Sequence, residues 1–360
     1  MIITLPNEAP KGLIGEVNAK IAASGNTSNV DRGEKTTVVG VRGFVSPQLE
    51  EEMRAIVGEA NVRRISEPYK EASRTFHPKD TVFEVAPGIM AGGQNLLLAA
   101  GPCAVESLEQ TLEAAEAAQK AGAKVLRGGA FKPRTGPYSF QGLGEEGLEI
   151  LAIAKERTGM PIVSEILSPD DIALFEKYGV DILQVGARNV QNYTLLKALA
   201  HVKKPILIKN GLSTRTDVWL QSVEYLLSGY DGENHNGGGN PNVILCSRGV
   251  DFGSDASKYP MDIAMISHLR TKTHLPVIGD PSHQAGYRDK VIDVGLAMIA
   301  SGAGGLEVDV HLNPKAAKVD GPQALSFNQL QLLFSLGTEI WEIRKKLPNN
   351  YRSYDATLTQ

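Results

Sequence analysis

The sequence predicts an α/β protein: a (β/α)8 TIM barrel preceded by a small ferredoxin-like α+β domain. The chain has 360 residues, of which 42% are hydrophobic, and this length suits one large domain plus one small one. Eight short apolar strands alternate with amphipathic helical stretches along most of the chain, which is the repeat of a parallel barrel. The first 70 residues follow a different order of strand, helix, two strands, helix and strand, typical of the ferredoxin-like fold.

The N-terminal domain is expected to span residues 1–70 and to be ferredoxin-like, or ACT-like. A serine cap followed by proline, Ser46-Pro47, marks the start of its second helix. The other predicted elements are strands at 2–5, 35–43 and 61–65 and a helix at 10–23. No residue in this domain indicates chemistry, so a structural or oligomer-forming role is the simplest interpretation.

Residues 71–94 are predicted to be a linker followed by a hairpin that caps the barrel, 95–350 the barrel, and 351–360 a tail. The eight predicted barrel strands lie at 96–103, 124–129, 161–167, 181–188, 205–211, 243–249, 275–283 and 305–311. A glycine- and asparagine-rich segment at 231–240 is expected to be a disordered surface loop. An open, doubly wound sheet is the competing architecture.

Composition excludes several classes of function. A net charge of −4 and a pI near 6.0 argue against a protein that coats nucleic acid. The chain has no run of eighteen apolar residues and no signal-peptide pattern at its start, so a cytoplasmic protein without a membrane partner is expected. In a reducing compartment Cys103 and Cys246 are not expected to form a disulfide.

The stretch 124–144 carries the strongest local signal for function. It leaves a short strand through Arg127 and then presents Lys132, Arg134 and Thr135 on a glycine-rich loop. Guanidinium groups and backbone N–H donors on such a loop suit the oxygens of phosphates or carboxylates. The alternative is an exposed basic loop that pairs with surface acids.

Basic residues recur at the carboxyl ends of further strands, where a barrel places its active site. Arg188, Lys209 and Arg248 end or follow the fourth, fifth and sixth strands. Cations brought together in one mouth repel each other unless an anionic ligand compensates them. The pattern therefore predicts a site for phosphates plus a carboxylate, with a solvated rim as the alternative.

A second set of strand-end residues has the composition of a metal site. Cys103 ends the first strand and His283 follows the seventh, while Asp309 and Asp320 lie in and after the eighth. The first and eighth strands are neighbours in a closed barrel, so these side chains can meet. A thiolate, an imidazole and two carboxylates suit a divalent transition metal. On the residues alone, a packed cysteine and a hydrogen-bonded histidine explain the pattern equally well.

Taken together, these residues resemble the type I beta group of 3-deoxy-D-arabino-heptulosonate 7-phosphate (DAHP) synthases. The resemblance covers nearly the whole chain. Its most specific string is KPRT at 132–135, which separates this group from the octulosonate 8-phosphate synthases. The other strings are AGPC (100–103), LRGGAF (126–131), PYSFQGLGEEGLE (137–149), GARNVQN (186–192), VILCSRG (243–249), DPSH (280–283) and DGPQAL (320–325).

The resemblance implies condensation of phosphoenolpyruvate with erythrose 4-phosphate, the first step of the shikimate pathway, with a divalent metal (Mn, Fe, Co or Zn). It places Arg134 and Thr135 at the aldose phosphate. It assigns the phosphoenolpyruvate site to Arg127, Lys132, Arg188, Lys209 and Arg248, the catalytic set to Lys132, Glu165, Asp280 and His311, and the metal to Cys103, His283, Asp309 and Asp320. Lys132 is expected to protonate or orient a reacting group, and Glu165 to order water.

The chain departs from the pattern of this family at several positions. Asp309 stands where glutamate is usual, and Glu307 adds a carboxylate one layer down in the barrel interior. Gly279 replaces a branched residue and is expected to make room for Glu307. Ser247 and Gly136 replace a usual glutamate and serine. These changes leave open the same chemistry on a different aldehyde, or a catalytically silent regulatory subunit.

The resemblance also bears on partners. Relatives of this architecture are commonly tetramers, so a homotetramer is expected. Asn29 and Asp31 align approximately with positions that line an aromatic amino-acid effector site in some relatives. Regulation by tyrosine or phenylalanine is therefore one interpretation of the small domain, and constitutive oligomer packing is the other.

Overall fold

The computed structural model describes residues 1–33, 36–43, 45–64, 67–229, 238–251, 257–260 and 262–347. The predicted tail at 351–360 and most of the predicted loop at 231–240 lie outside these residues. Within the described part, every helix is too short or too polar to cross a lipid bilayer.

The N-terminal domain is a four-stranded antiparallel sheet with two helices on one face. Its elements are β1 (Ile2–Pro6), α1 (Lys11–Ala23), β2 (Thr27–Arg32), β3 (Thr36–Arg42), α2 (Pro47–Val57) and β4 (Val62–Arg63). The strand order is β2-β3-β1-β4. As the sequence predicts, Ser46 caps α2 by accepting a hydrogen bond from the Leu49 amide. Alternation along β3 sends Val39 and Val41 toward the helices.

The other face of this sheet is covered by the segment that joins the two domains. The Phe76 ring packs against Ile2 and Val38. Gly40 lies directly beneath the ring, where a Cβ atom would come within 2.3 Å of it. Asn29 Nδ2 lies 3.4 Å from His77 Nδ1, and Asp31 lies 3.6 Å from Lys79 Nζ. Both residues at the suggested effector positions thus contact the linker.

The linker is also hydrogen-bonded to the barrel. The half-buried Glu224 carboxylate accepts bonds from the backbone amides of Lys70, Glu71 and Ala72. Glu71 in turn receives a two-pronged ion pair from Arg42, at 2.5 and 2.6 Å, so one short segment ties the small sheet to the large domain. The predicted hairpin follows the linker as β5 (Phe83–Ala86) and β6 (Ile89–Ala91).

The large domain is a closed barrel of eight parallel strands in chain order, which confirms the predicted TIM barrel and excludes the open sheet. The last strand pairs with the first from Gly305↔Leu97 to Asp309↔Gly101. The strands are β7 (Leu97–Gly101), β8 (Val125–Arg127), β9 (Ile162–Glu165), β10 (Ile182–Val185), β11 (Ile206–Lys209), β12 (Val243–Ser247), β13 (Val277–Gly279) and β14 (Gly305–Asp309).

Helices surround the barrel and bury apolar stripes against it. They are α3 (Leu108–Lys120), α4 (Glu145–Thr158), α5 (Ile172–Lys177), α6 (Tyr193–Leu199), α7 (Thr216–Ser228), α8 (Ile263–Lys272), α9 (Pro281–Ala285), α10 (Arg288–Ser301) and α11 (Phe327–Arg344). In α7, for example, Trp219, Leu220, Val223 and Leu226 are all buried. Ser326 begins α11 with a capping box that includes Gln329.

The barrel interior changes character along its axis. Its lower part is apolar, and the hairpin residues Val85 and Ala91 close the bottom. The inward-facing residues of this part are Leu97, Ala99, Val125, Val163, Ile182, Leu207, Ile244, Cys246 and Ile278. Above them, toward the carboxyl ends of the strands, the interior positions are occupied by charged side chains. The fold therefore places the polar chemistry at one end only.

Candidate active site

A cavity of about 280 Å³ opens at the carboxyl ends of the barrel strands. All six of the basic residues singled out in the sequence line it. These are Arg127, Lys132, Arg134, Arg188, Lys209 and Arg248. Thr135 and Glu165 lie in the same wall, so the structure gathers the predicted anion-binding residues around one space.

Strand ends and a close backbone approach position this wall. Arg127, Glu165 and Lys209 are the last residues of β8, β9 and β11, and all three are buried. Gly186, which follows β10, leaves space for Glu165, because a Cβ atom there would lie only 1.8 Å from Glu165 Oε1. A side chain at position 186 would therefore displace Glu165 from the cavity wall.

The two deepest cations are paired with carboxylates of the protein. Arg127 lies 3.3 Å from Glu307 and 2.5 Å from Asp309, and Lys209 lies 2.5 Å from Asp280 and 2.8 Å from Glu307. Burial alone would lower the pKa of both cations, but the adjacent carboxylates outweigh it. The pKa values of Arg127 and Lys209 are therefore raised above their ordinary range, so both stay charged.

The cations nearer the mouth have no such partners. In the described part of the chain, no carboxylate lies within 4.0 Å of Lys132, Arg134, Arg188 or Arg248. Lys132 Nζ donates instead to the Cys103 carbonyl at 3.1 Å and lies 3.3 Å from Cys103 Sγ. This half of the cavity thus carries uncompensated positive charge.

Arg248 shows the need for a ligand most clearly. Its side chain is buried, yet one terminal nitrogen has no hydrogen-bond partner. The guanidinium lies over the Tyr259 ring at 4.2 Å, and its own backbone amide donates to Asn210 at 2.7 Å. A buried, unpartnered guanidinium that faces a cavity suits an anionic oxygen from outside the protein.

Three ligand atoms of the predicted metal cluster converge beside this wall. Cys103 Sγ lies 3.2 Å from Asp320 Oδ2 and 3.9 Å from His283 Nε2, and His283 Nε2 lies 3.5 Å from Asp320 Oδ2. Bonds of about 2.0–2.3 Å to a central tetrahedral ion would separate its ligands by roughly 3.3–3.8 Å. The spacing and the donor types therefore fit a divalent transition metal.

The fourth predicted ligand, Asp309, sits deeper and has other partners. One of its oxygens accepts from Arg127 and the other from Gln323 Nε2 at 2.8 Å, and the nearest histidine nitrogen is His283 Nδ1 at 3.6 Å. All four residues still offer one ligand atom each within 4.8 Å of one another. An ion could thus be held by three ligands at the cavity, with Asp309 beneath them.

The short helix α9 orients His283. Asp280 caps this helix by accepting from the His283 amide at 3.0 Å, and its carboxylate also lies 2.8 Å from His283 Nδ1. This contact leaves Nε2 facing Cys103 and Asp320, an arrangement of carboxylate and histidine common in metal sites. Burial opposes charge on this pair, but mutual attraction outweighs it, raising the pKa of His283 and lowering that of Asp280.

Asp320 adopts an unusual backbone conformation. It has a φ of 53°, the only positive value at a non-glycine residue in the described part of the chain. Burial would raise the pKa of this carboxyl, but its hydrogen bond with His283 holds the pKa well below the ordinary range. The loop therefore presents a charged carboxylate to Cys103 and His283.

The structure also places the remaining residues that the sequence analysis singled out. Asp280 and His311 are buried and do not line the cavity, and His311 Nδ1 accepts from the Asn313 amide. Their catalytic roles stay predictions. The expectation that Gly279 makes room for Glu307 is wrong. A Cβ atom at 279 would meet Met298 at 2.3 Å, on the outer, helix-facing side of β13. Ser247 also lies outside the wall, whereas Gly136 lines it.

Four polar residues of the wall were given no role in the sequence analysis: Gln184, Ser139, Lys258 and Tyr259. Gln184 lies on β10 two residues before Gly186, and its inward position follows from strand alternation. Lys258 lies 3.8 Å from Asp320 and follows a segment of irregular sequence. No periodic signal could have placed Lys258 or Tyr259 at the cavity.

A parallel barrel with a cation-lined cavity beside a cysteine, histidine and carboxylate cluster is the geometry of an enzyme that acts on small anions. Comparison with known proteins narrows this class. Residues 69–346 match the DAHP synthetase I family, and residues 1–67 match the DAHP synthase ferredoxin-like domain. The chain belongs to the DAHP synthetase I family, and its enzyme class is that of the DAHP synthases.

The relatives support this assignment over nearly the full length. A phospho-2-dehydro-3-deoxyheptonate aldolase of Thermotoga maritima is 40% identical over 91% of this chain and 94% of its own. The crystal structure of that organism's DAHP synthase superposes with a TM-score of 0.70, covering 96% of this chain and 97% of the other. A 2-dehydro-3-deoxyphosphooctonate aldolase of Desulfatibacillum aliphaticivorans is 31% identical over 70% of this chain and 93% of its own.

Proposed function

We propose that this protein condenses phosphoenolpyruvate with erythrose 4-phosphate to give 3-deoxy-D-arabino-heptulosonate 7-phosphate and inorganic phosphate. C3 of phosphoenolpyruvate bonds to the aldehyde carbon, the aldehyde oxygen takes a proton, water adds at C2, and the C2–O bond to phosphate breaks. The observation that carries the proposal is the buried Arg248 guanidinium, one nitrogen of which has no hydrogen-bond partner, in the same cavity as Lys132, Arg134 and Arg188. The two phosphates and the carboxylate of the substrates supply the negative charge that balances these cations.

Phosphoenolpyruvate is assigned to the buried cations of the wall. Arg127 and Lys209 are fixed there by ion pairs, and Lys132 and Arg248 are buried but free to accept a ligand. Fixed cations around the transferred oxygen stabilise the charge that develops as the bond to phosphate breaks. Arg134 and Thr135 are exposed at the mouth, where a longer phosphorylated aldose would place its terminal phosphate.

Lys132 and Glu165 are the proposed acid–base residues. Lys132 Nζ lies 3.3 Å from Cys103 Sγ, next to the place where the aldehyde oxygen must develop charge, so it can donate the proton. Glu165 occupies the wall beside Gly186 and can orient the water that adds at C2. A divalent metal held by Cys103, His283 and Asp320, with Asp309 beneath them, would polarise the aldehyde carbonyl as a Lewis acid.

A second candidate is the same condensation on a different aldehyde. It is favoured by Gly136, which lies in the wall beside Arg134 and Thr135 and gives that wall no side chain. A Cβ atom at 136 would lie 3.2 Å from the Ser139 hydroxyl, so Ser139 borders the space that a serine would occupy. The change alters the aldose end of the cavity and leaves the phosphoenolpyruvate end intact.

The two candidates are separated by measuring phosphate release from phosphoenolpyruvate. Purified full-length protein is reconstituted with Mn, Fe, Co or Zn and incubated with erythrose 4-phosphate or with other phosphorylated and unphosphorylated aldehydes. Metal-stripped protein serves as the control. Release with erythrose 4-phosphate supports the first function, and release only with another aldehyde supports the second. If the protein binds phosphoenolpyruvate but releases no phosphate from it with any aldehyde present, both functions are contradicted and a silent regulatory subunit is favoured.

The assembly and its regulation are part of the proposal. We propose a homotetramer whose small domain serves mainly in packing. The contacts of Asn29 with His77 and of Asp31 with Lys79 support this role, because they occupy the suggested effector positions with linker residues. Analytical ultracentrifugation with and without tyrosine or phenylalanine tests both points.

A further inference from the structure

Glu307 is a buried charged residue of the barrel that the proposed reaction does not use. It lies on β14, is 2% exposed and does not line the cavity. Its two oxygens face different strands: Oε1 is 3.3 Å from Arg127 Nε on β8, and Oε2 is 2.8 Å from Lys209 Nζ on β11. One carboxylate thus bridges two cations across the barrel interior.

This bridge by Glu307 reduces the net positive charge at the floor of the cavity, where an anionic ligand would bind. Arg127 and Lys209 carry two positive charges, and Glu307, Asp280 and Asp309 supply three negative charges in contact with them. The cations at the floor of the cavity are therefore already compensated by the protein, unlike Lys132 and Arg248 above them. In a low-dielectric interior such compensation weakens the attraction for an added anion.

The partners of Glu307 also have a second anchor. Arg127 keeps Asp309, and Lys209 keeps Asp280, when Glu307 is taken away. Neither cation would be left buried without a carboxylate, so replacing Glu307 does not create an isolated buried charge. What is lost is the link between the two cations and one unit of negative charge below the cavity.

We propose that Glu307 is a positioning residue that holds Arg127 and Lys209 in register and limits how tightly the site retains anions. The inference rests on the proposed function, in which inorganic phosphate must leave after each turnover. Glu307 acts through Arg127 and Lys209, since it has no place in the cavity wall. Removal of its charge should strengthen anion binding while turnover becomes slower.

The test compares three variants with the wild type as metal-reconstituted, full-length protein. Glu307→Gln keeps the shape and removes the charge, and Glu307→Asp keeps the charge. Glu224→Gln, the control, makes the same change at a half-buried carboxylate of the linker contact, away from the cavity. Calorimetry measures the Kd of inorganic phosphate. Steady-state phosphate release gives kcat and KM for phosphoenolpyruvate.

We expect Glu307→Gln to lower the Kd of inorganic phosphate by at least about tenfold, since a unit charge has that effect even at a distance of about 12 Å when the effective dielectric constant is about 20. Its KM for phosphoenolpyruvate and its kcat should both fall, while Glu307→Asp and Glu224→Gln keep phosphate affinity within about twofold. An unchanged phosphate Kd in Glu307→Gln would overturn the inference, and so would unfolding of both Glu307 variants, which would make the residue structural. Failure of the wild type to bind phosphate or phosphoenolpyruvate would instead count against the proposed function.

Discussion

The upper and lower halves of the barrel interior share one backbone pattern and differ in what their inward side chains do. The lower half is apolar, with Leu207, Ile244 and Ile278 packed against the hairpin residue Val85. The upper half holds Arg127 and its charged partners, each satisfied by the others or facing the cavity. The lower half can supply stability without chemistry, and the upper half carries charge that only a rigid scaffold could keep in place.

Buried charge is tolerated in the upper half because the buried ions below the cavity are paired with one another. Each buried ion below the cavity has at least one opposite partner within hydrogen-bond distance, as in the pairs of Lys209 with Asp280 and Glu307. Even Cys246, at the boundary, is kept neutral, because burial raises the pKa of its thiol well above the ordinary value. It lies 3.8 Å from Glu307 and closes the apolar layer.

The largest effect should come from removing a cation of the upper half. Lys132→Met keeps the length of the side chain and removes the ammonium that lies 3.3 Å from Cys103 Sγ. Loss of one such donor should lower kcat by about 100- to 1000-fold, since charge in the transition state is no longer met. Lys177→Met, at an exposed lysine paired with Glu145, is the control and should keep full turnover. A Lys132→Met enzyme with normal phosphate release would remove this residue from the reaction.

Removing a large side chain from the lower half should reduce stability and leave turnover almost unchanged. Leu207→Ala empties space in the fully buried apolar layer, where Leu207 is 1% exposed. The change should lower the free energy of unfolding by about 2–5 kcal/mol. Urea denaturation measures this loss, and turnover at 25 °C should stay within about twofold. A large loss of turnover in a folded variant would show that the halves are not separable.

A smaller effect, dependent on pH, is expected where the linker meets the barrel below the apolar layer. Burial lowers the pKa of His274 from 6.5 to about 4, and its ring lies 2.7 Å from the Glu71 carbonyl and 2.6 Å from the Thr81 hydroxyl. As the pH falls, the unfolded chain takes up this proton before the folded one does. The stability that neutral His274 provides is therefore present at pH 7 and lost as the pH falls from about 6.5 toward 4.

His274→Gln keeps a donor and an acceptor without this titration. Between pH 7 and pH 5, the wild type should lose about 2 kcal/mol more unfolding free energy than the variant. Chemical denaturation at the two pH values gives the difference directly. Parallel curves for the two proteins would mean that His274 does not protonate on unfolding in this range.

The smallest effect should come from a surface pair outside both halves. Arg157 and Glu116 lie 3.1 Å apart with side chains 68% and 53% exposed. Arg157→Ala should change the free energy of unfolding by less than about 0.5 kcal/mol, because water screens such pairs. A loss above 1 kcal/mol would mean that exposed charges contribute to this fold on the scale of its core.

Much of the upper half could be predicted from the sequence, because parallel strands deliver their last residues to one end of a barrel. Arg127, Glu165 and Lys209 were placed at the cavity by this rule alone. A second rule, the alternation of side chains along a strand, places Gly279 on the outer face next to Met298, since its neighbour Ile278 points inward. Gly279 was given the wrong role because two departures from the family pattern on adjacent strands, Gly279 and Glu307, were paired without regard to the face of the strand on which Gly279 lies.

The pairing within the upper half could not be predicted. Glu307 and Lys209 are separated by 98 residues in the sequence, and their contact depends on how far two side chains reach across the closed barrel. Lys258 and Tyr259 belong to no periodic stretch of the sequence, so no rule for strands or helices assigns them to the cavity wall. Such positions depend on how side chains pack in three dimensions, and a single sequence does not contain that information in a readable form.

The division between the two halves is tested most directly by the binding of phosphoenolpyruvate. Calorimetry on metal-reconstituted wild type, Arg248→Ala and Leu207→Ala compares the buried, unpartnered guanidinium with the apolar layer. The account predicts that Arg248→Ala weakens binding by at least about 30-fold, because a charged hydrogen bond to the ligand is lost, while Leu207→Ala binds as the wild type does. Equal weakening in both variants, or none in Arg248→Ala, would contradict it.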